Sequence, residues 1–134
     1  MALPVVRDYM DKVVPTLKPD TAILDAVDFL LSNHVTGAPV LDLAGNVIGI
    51  LTEKDCLRLL STGHDQDKPR GAVRDFMTKE VISVPSHMNV YFLAGMFLTA
   101  SYRRLPVIDN GKLVGAITRF DVLRVIQANL KTVK

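Results

Sequence analysis

The stretch Gly49-Ile-Leu-Thr-Glu-Lys-Asp55 returns 66 residues later as Gly115-Ala-Ile-Thr-Arg-Phe-Asp121. In each, a glycine and two apolar residues run as a strand into Thr-x-x-Asp. That spacing starts a helix as a capping box: the threonine oxygen accepts a backbone N–H while the acid reaches back. Working outward, Val6-Arg-Asp-Tyr-Met10 returns as Val73-Arg-Asp-Phe-Met77, and Ala38-Pro-Val-Leu-Asp42 as Leu105-Pro-Val-Ile-Asp109, both at an offset of 67. Three matches in one order make the chain a tandem repeat, and the drop from 67 to 66 puts a turn one residue shorter in the second copy.

Hydrophobic period supplies the elements between these landmarks. In the first copy Pro19-Asp20-Thr21 gives start signals, and Ile23, Leu24, Val27, Leu30 and Leu31 recur at helical spacing from Thr21 to His34. A strand at Ala38 to Leu41, a turn at Asp42 to Gly45, a strand at Val47 to Leu51 and a helix from Glu53 to about Leu60 follow. The second copy reads as a strand near Val81 to Val84, a helix from Met88 to Ser101, a strand from Leu105 to Ile108, and a turn at Asp109-Asn-Gly111. A strand from Leu113 to Ile117 and a helix from Arg119 to about Asn129 complete it. The expected fold is of the mixed α/β (α+β) class, with the order βαββα twice over. Its divisions are a first repeat at 1–62, a polar linker at 63–71 and a second repeat at 72–134. A unit of about 55–60 residues holds only a marginal core alone, so the copies are expected to pack sheet against sheet around a pseudo-twofold axis.

Composition narrows the function. With 49% hydrophobic and 22% charged residues the chain is globular rather than disordered. The net charge of +2 is spread along the sequence without a basic block, which argues against a nucleic-acid partner. Cys56 is the single cysteine, and His34, His64 and His87 lack metal-ligand spacing, so neither a disulfide nor a metal site is expected. The first eight residues do not pair a basic region with an apolar stretch, and Val90 to Ala100 is too short for a bilayer. The expectation is a cytoplasmic protein with no membrane partner.

A strand ending in Pro-Val-apolar-Asp, a turn with glycine, then Gly-apolar-apolar-Thr-x-x-Asp opening a helix resembles the CBS (cystathionine-beta-synthase) domain. The doubling, from about Val6 to Ile126, resembles a CBS pair. The family includes nucleotide sensors, S-adenosylmethionine binders and modules without a known ligand. The resemblance implies that Asp55 and Asp121 each hold a ribose, a role that suits a carboxylate able to accept from two adjacent hydroxyls. It also implies two clefts, each shared between the copies.

The first expected cleft joins Ile50, Thr52, Lys54 and Asp55 to Val81, Ile82, Tyr102, Arg103 and Arg104. Guanidinium groups present forked donors that match phosphate oxygens, and relatives that sense nucleotides carry basic residues at the positions of Arg103 and Arg104. The second joins Ala116, Thr118, Phe120 and Asp121 to Val14, Pro15, Val35, Thr36, Gly37 and Ala38. Thr36-Gly37 stands there in place of two arginines, so this cleft is expected to be occupied more weakly or by adenosine-like ligands. Val81 and Ile82 suit the walls of an adenine slot, with core packing as the rival role.

No nucleophile with an orienting base, no paired acids and no phosphate loop is visible, so no catalytic residue, metal or cofactor is expected. Cys56 reads as a small core residue, because Val122 takes its place in the second copy, and His34 as a helix-end residue. Tyr91, Phe92, Met96 and Phe97 recur at helical spacing as core or subunit interface. Three functions remain: a regulatory, energy-sensing module for AMP, ADP or ATP; a module for S-adenosylmethionine or adenosine; and a ligand-free dimerisation module whose Thr and Asp residues only cap helices. By analogy with CBS pairs a homodimer is expected, through the faces of Ala22 to Leu31 and Val90 to Leu98, together with a separate effector protein.

Overall fold

The computed structural model describes residues 3–61 and 70–130; most of the expected linker, His64 included, lies outside the described residues. The chain divides into two compact units, Pro15–Val81 and Met1–Val14 with Ile82–Lys134, called here the first and second units. Repeat and compact unit are different divisions of this chain. The Val73-Arg-Asp-Phe-Met77 motif stays with the helix and hairpin that precede it, while Val6-Arg-Asp-Tyr-Met10 joins those of the second repeat.

In the first unit, helix α1 (Ile23–Ser32) is followed by strands β1 (Gly37–Leu41) and β2 (Val47–Thr52), helix α2 (Glu53–Ser61) and the single turn α3 (Val73–Phe76). The second unit begins with a 3-10 turn at Val6–Asp8, then continues with α4 (Val90–Thr99), β3 (Arg104–Asp109), β4 (Lys112–Thr118) and α5 (Arg119–Asn129). Each unit holds one antiparallel hairpin, β1 with β2 and β3 with β4. The registers correspond: Gly37 faces Thr52 as Arg104 faces Thr118, and each hairpin carries an irregularity after Val40 or Val107.

The first strand of the expected βαββα order shrinks in both copies to one parallel bridge, Leu17 with Val40 and Val84 with Val107. Val84 donates to the carbonyl of Pro106 and accepts from the N–H of Ile108, but Pro85 follows it and has no N–H to continue the ladder. Leu17 is hemmed in likewise by Pro15 and Pro19. The expected strand at Val81 to Val84 is corrected accordingly.

Two helices are shorter than the expected ranges, Thr21 to His34 and Met88 to Ser101. The first residue of α1 and Thr21 before it pair instead with residues 71–73: Ile23 donates to Gly71 O at 3.0 Å and Val73 to Thr21 O at 2.9 Å. At the other end His34 adopts a left-handed φ of 55°. Its N–H reaches Leu31 O and that of Val35 reaches Leu30 O, the paired bonds of a Schellman stop. His34 is therefore a helix terminator. Helix α4 starts late because the Asn89 side chain accepts from Phe92 N, and ends where Ala100 turns extended.

Ile23, Ala26 and Leu30 of α1 pack on Ala38, Val40 and Leu51 of the first hairpin, and Leu93 and Phe97 of α4 on Leu105, Val107 and Ile117 of the second. Val73 closes the first core and Val6 the second, both fully buried, which explains the repeated valine. The acids two residues on reach back to cap: Asp75 accepts from Ala72 N at 2.9 Å and Asp8 from Val5 N at 3.1 Å.

Ser86 ties the end of the short first strand of the second unit to the hairpin turn, its hydroxyl donating to Asp109 at 2.6 Å and its N–H at 2.9 Å. The hydroxyl bond, then the backbone bond, hold the Asp109 carboxyl below the ordinary carboxylate range, with the charges of His87 and Arg7 adding to them. A depressed folded-state value means that this contribution to stability is complete above the unfolded-state value and is lost as pH falls through the folded one.

Candidate functional site

The open end of each hairpin, where β2 or β4 gives way to its helix, carries the Thr-x-x-Asp box. In the first unit Asp55 is 2% exposed. Its Oδ2 accepts from Thr52 N at 2.9 Å and Thr52 Oγ1 at 3.0 Å, and its own N–H is directed at that hydroxyl oxygen at 3.4 Å. In the second unit Asp121 repeats the arrangement with Thr118, at 2.9, 3.1 and 3.2 Å. The capping role is thus fulfilled in both copies by one carboxylate oxygen, which leaves the character of the site to the other.

There the units differ. Oδ1 of Asp55 accepts from the hydroxyl of Thr78 at 3.1 Å, and the exposed guanidinium of Arg58 stands 3.9 Å away. Among the described residues, Oδ1 of Asp121 has only the Arg124 guanidinium, at 3.7 Å. The side chain of Asp121 is 14% exposed against 3% for Asp55. Each Val-Arg-Asp-aromatic-Met motif opens a lead-in segment, residues 6–11 and 73–81. In the latter Thr78 lies beside β2, bridged to Ile50, and at the matching bridge, to Ala116, the second unit has Asp11. The Asp11 carboxylate cannot donate to another carboxylate, and it accepts from Val13 N at 3.0 Å instead. Sequence reading missed Thr78, which its position after the repeated Met77 marks only once the bridge is seen.

The remaining expected residues fall in both units. The first holds Ile50, half-buried; Lys54 and Thr36, exposed; and Pro15, Val35, Gly37, Ala38 and Val81. A Cβ on Gly37 would stand 3.1 Å from Leu51 O, so glycine keeps that hairpin end narrow. The second unit holds Val14, Ile82, Tyr102, Arg103, Arg104, Ala116 and Phe120. Arg104 is half-buried opposite Thr118, and Arg103 is exposed. Ala38 and Ala116 are core residues, while Ile82, 49% exposed, is not.

Burial, followed by the negative charge of Asp55, pushes the Cys56 thiol up from its ordinary value. The thiol stays protonated at neutral pH and packs beside the first core, which fits a space-filling residue. Among the described residues no group of three or more His, Cys, Asp or Glu gathers to hold a metal, and no helix is long and apolar enough to cross a membrane.

The face of α5 formed by Phe120, Leu123, Ile126 and Leu130, which borders an open groove of about 590 Å³ with Arg124 and Gln127, was not among the expected contact surfaces. On the two faces expected to make subunit contacts, Leu24 and Leu31 of α1 and Tyr91, Phe92 and Leu98 of α4 are exposed. Of the aromatic and methionine run on α4, Phe97 and Met96 face the core.

The model of the CBS domain matches residues 6–62 and 73–128. The protein MJ1225 of Methanocaldococcus jannaschii is 31% identical over 121 residues, which cover 90% of this chain and 42% of that protein. The chain spans less than two thirds of the first curated relatives it matches, from 22% to 62% of their length. The crystal structure of CBSX2, a protein of Arabidopsis thaliana, in complex with AMP superposes with a TM-score of 0.79 at 32% identity, over 92% of this chain and 96% of that one. The CBS domain pair of MJ0100, in complex with 5-methylthioadenosine and S-adenosyl-L-methionine, shares the fold at a TM-score of 0.77 and 23% identity, over 95% and 98% of the two chains. With both copies matched along nearly their whole length, this chain belongs to the CBS domain family and carries two CBS domains in tandem.

Proposed function

We infer that the chain is a non-catalytic regulatory module that binds an adenosyl ligand, and within that class an adenine nucleotide: AMP, ADP or ATP. The observation that carries this reading is the duplicated box, in which capping engages one oxygen of each aspartate and leaves the other directed away from the cap. A carboxylate oxygen so placed suits the hydroxyls of a ribose. Arg103 and Arg104, with Lys54, supply the charge for phosphate. The likeness to CBSX2, whose structure holds AMP, supports the same class.

S-adenosylmethionine or adenosine is the second reading, favoured by Gly37, which stands opposite Thr52 where Arg104 stands opposite Thr118. In either case the ligand regulates by binding two arrangements of the module with unequal affinity, and the change is passed to an effector protein. The exposed apolar residues of α5, with Leu57 and Leu60 at corresponding places on α2, support a homodimer.

Thermal unfolding with AMP, ADP, ATP, adenosine or S-adenosylmethionine tests the reading. A ligand at a hundred times its dissociation constant is expected to stabilise the protein by about 2.7 kcal/mol, and Arg104→Ala to reduce the shift by ATP while sparing that by adenosine. No shift with any adenosyl compound contradicts the reading; equal ATP shifts for wild type and Arg104→Ala contradict the phosphate role.

A further inference from the structure

We propose that Thr78 is a built-in competitor for the Asp55 carboxylate, which makes its ligand affinity adjustable independently of that of Asp121. The proposal rests on the reading of the two acids as ribose holders. A ribose hydroxyl needs a carboxylate lone pair aimed at it. At Asp55 the oxygen not used for capping already accepts from Thr78 Oγ1 at 3.1 Å, and the same hydroxyl lies 3.4 Å from Oδ2. At Asp121 the equivalent neighbour is Asp11, which has no proton to donate when ionised, and its carboxylate caps Val13.

Thr78 can also yield. The residue is exposed, so its hydroxyl turns to water by rotation about one bond, while its backbone stays fixed to Ile50 by two hydrogen bonds of 2.9 Å. Binding at Asp55 therefore exchanges one hydroxyl for another and gains only the difference. Binding at Asp121 displaces no hydroxyl donor that the described residues provide. Thr78 follows Met77, which packs against the first core and whose sulfur lines the space above Gly49, so a shift of the lead-in segment moves the competing hydroxyl. Whatever pulls on residues 73–81 is thereby linked to the affinity of one box and not the other.

Calorimetric titration with adenosine, which removes phosphate contacts from the comparison, tests this. In an Asp121→Asn background, where only the Asp55 box is intact, adding Thr78→Val is expected to tighten adenosine binding about three- to tenfold, the worth of one competing hydrogen bond. Thr78→Ser, which keeps the hydroxyl, is expected to bind like its parent, and a cooperative thermal transition confirms that each variant is folded. In an Asp55→Asn background Thr78→Val is expected to change nothing. Unchanged or weaker adenosine binding on adding Thr78→Val to Asp121→Asn overturns the proposal, the weaker result meaning that Thr78 itself contacts the ligand. If wild type binds neither adenosine nor AMP, the ribose reading falls together with it; if wild type binds and only the Thr78 effect is missing, the competitor role alone falls.

Discussion

Asp55→Ala is expected to lower the unfolding free energy by about 2–3 kcal/mol, and Asp121→Ala by about 1 kcal/mol. Both acids cap a helix, but Asp55 serves three donors in a buried place: Thr52 N, the Thr52 hydroxyl and the Thr78 hydroxyl. Truncation leaves the part-buried Thr52 N–H without its acceptor, and the hydroxyls recover only part of their loss by turning toward water. Asp121 serves two donors and is more exposed, so water replaces more of what is removed. Urea midpoints at an unchanged slope measure the difference. Equal losses would show that the contact with Thr78 contributes nothing to the folded state.

Gly115→Val is expected to cost about 3 kcal/mol or more, and Gly49→Val less. A Cβ at Gly115 would stand 2.7 Å from the backbone oxygen of Asp11 and 2.7 Å from the Met10 sulfur. The same atom at Gly49 meets the flexible Met77 sulfur at 2.6 Å, but the backbone oxygen of Thr78 only at 3.0 Å. A methionine end swings aside; a carbonyl engaged in a bridge does not, and overpacking of this kind costs about 1–3 kcal/mol even where side chains can adjust. Gly95→Ala serves as the contrast: nothing lies within 4 Å of its Cβ, and alanine in a helix interior is expected to stabilise by about 0.5–1 kcal/mol. Chemical denaturation of the three variants checks the order, and a Gly115 variant as stable as wild type would remove the close approach of the lead-in as the reason for that glycine.

These glycines show where sequence reading reached and where it stopped. Periodicity and turn residues placed both hairpins and the helix Arg119–Asn129, because those elements are decided by neighbours a few residues apart. The repeat located both Thr-x-x-Asp boxes for the same reason. The repeated glycine was legible as a landmark but not as a contact, since the segment that needs its missing side chain is 104 residues earlier for Gly115 and 28 later for Gly49. Thr78 was illegible in the same way: it meets Asp55 across 23 residues, and no local pattern announces a donor at that distance. Tyr9 belongs with it. Asn129 donates to its hydroxyl at 3.0 Å and Arg124 to its carbonyl at 2.8 Å, fastening the N-terminal lead-in to α5, whereas Phe76 at the repeated position has no hydroxyl to be held. The helix ends expected at Thr21 and His34 were misplaced because the Thr21 carbonyl is taken by the Val73 N–H and His34 turns left-handed, neither of which the apolar spacing records.

The sugar distinguishes a ligand-holding carboxylate from one that only caps a helix. Titration of the wild-type chain with AMP and with 2′,3′-dideoxy-AMP compares ligands that differ only in the two hydroxyls offered to Asp55 and Asp121. Loss of hydrogen bonds to a charged acceptor predicts that the dideoxy compound binds at least about tenfold more weakly at Asp121, and by a smaller factor at Asp55, where the Thr78 hydroxyl takes the place of the missing partner. Equal affinities for the two would contradict the account.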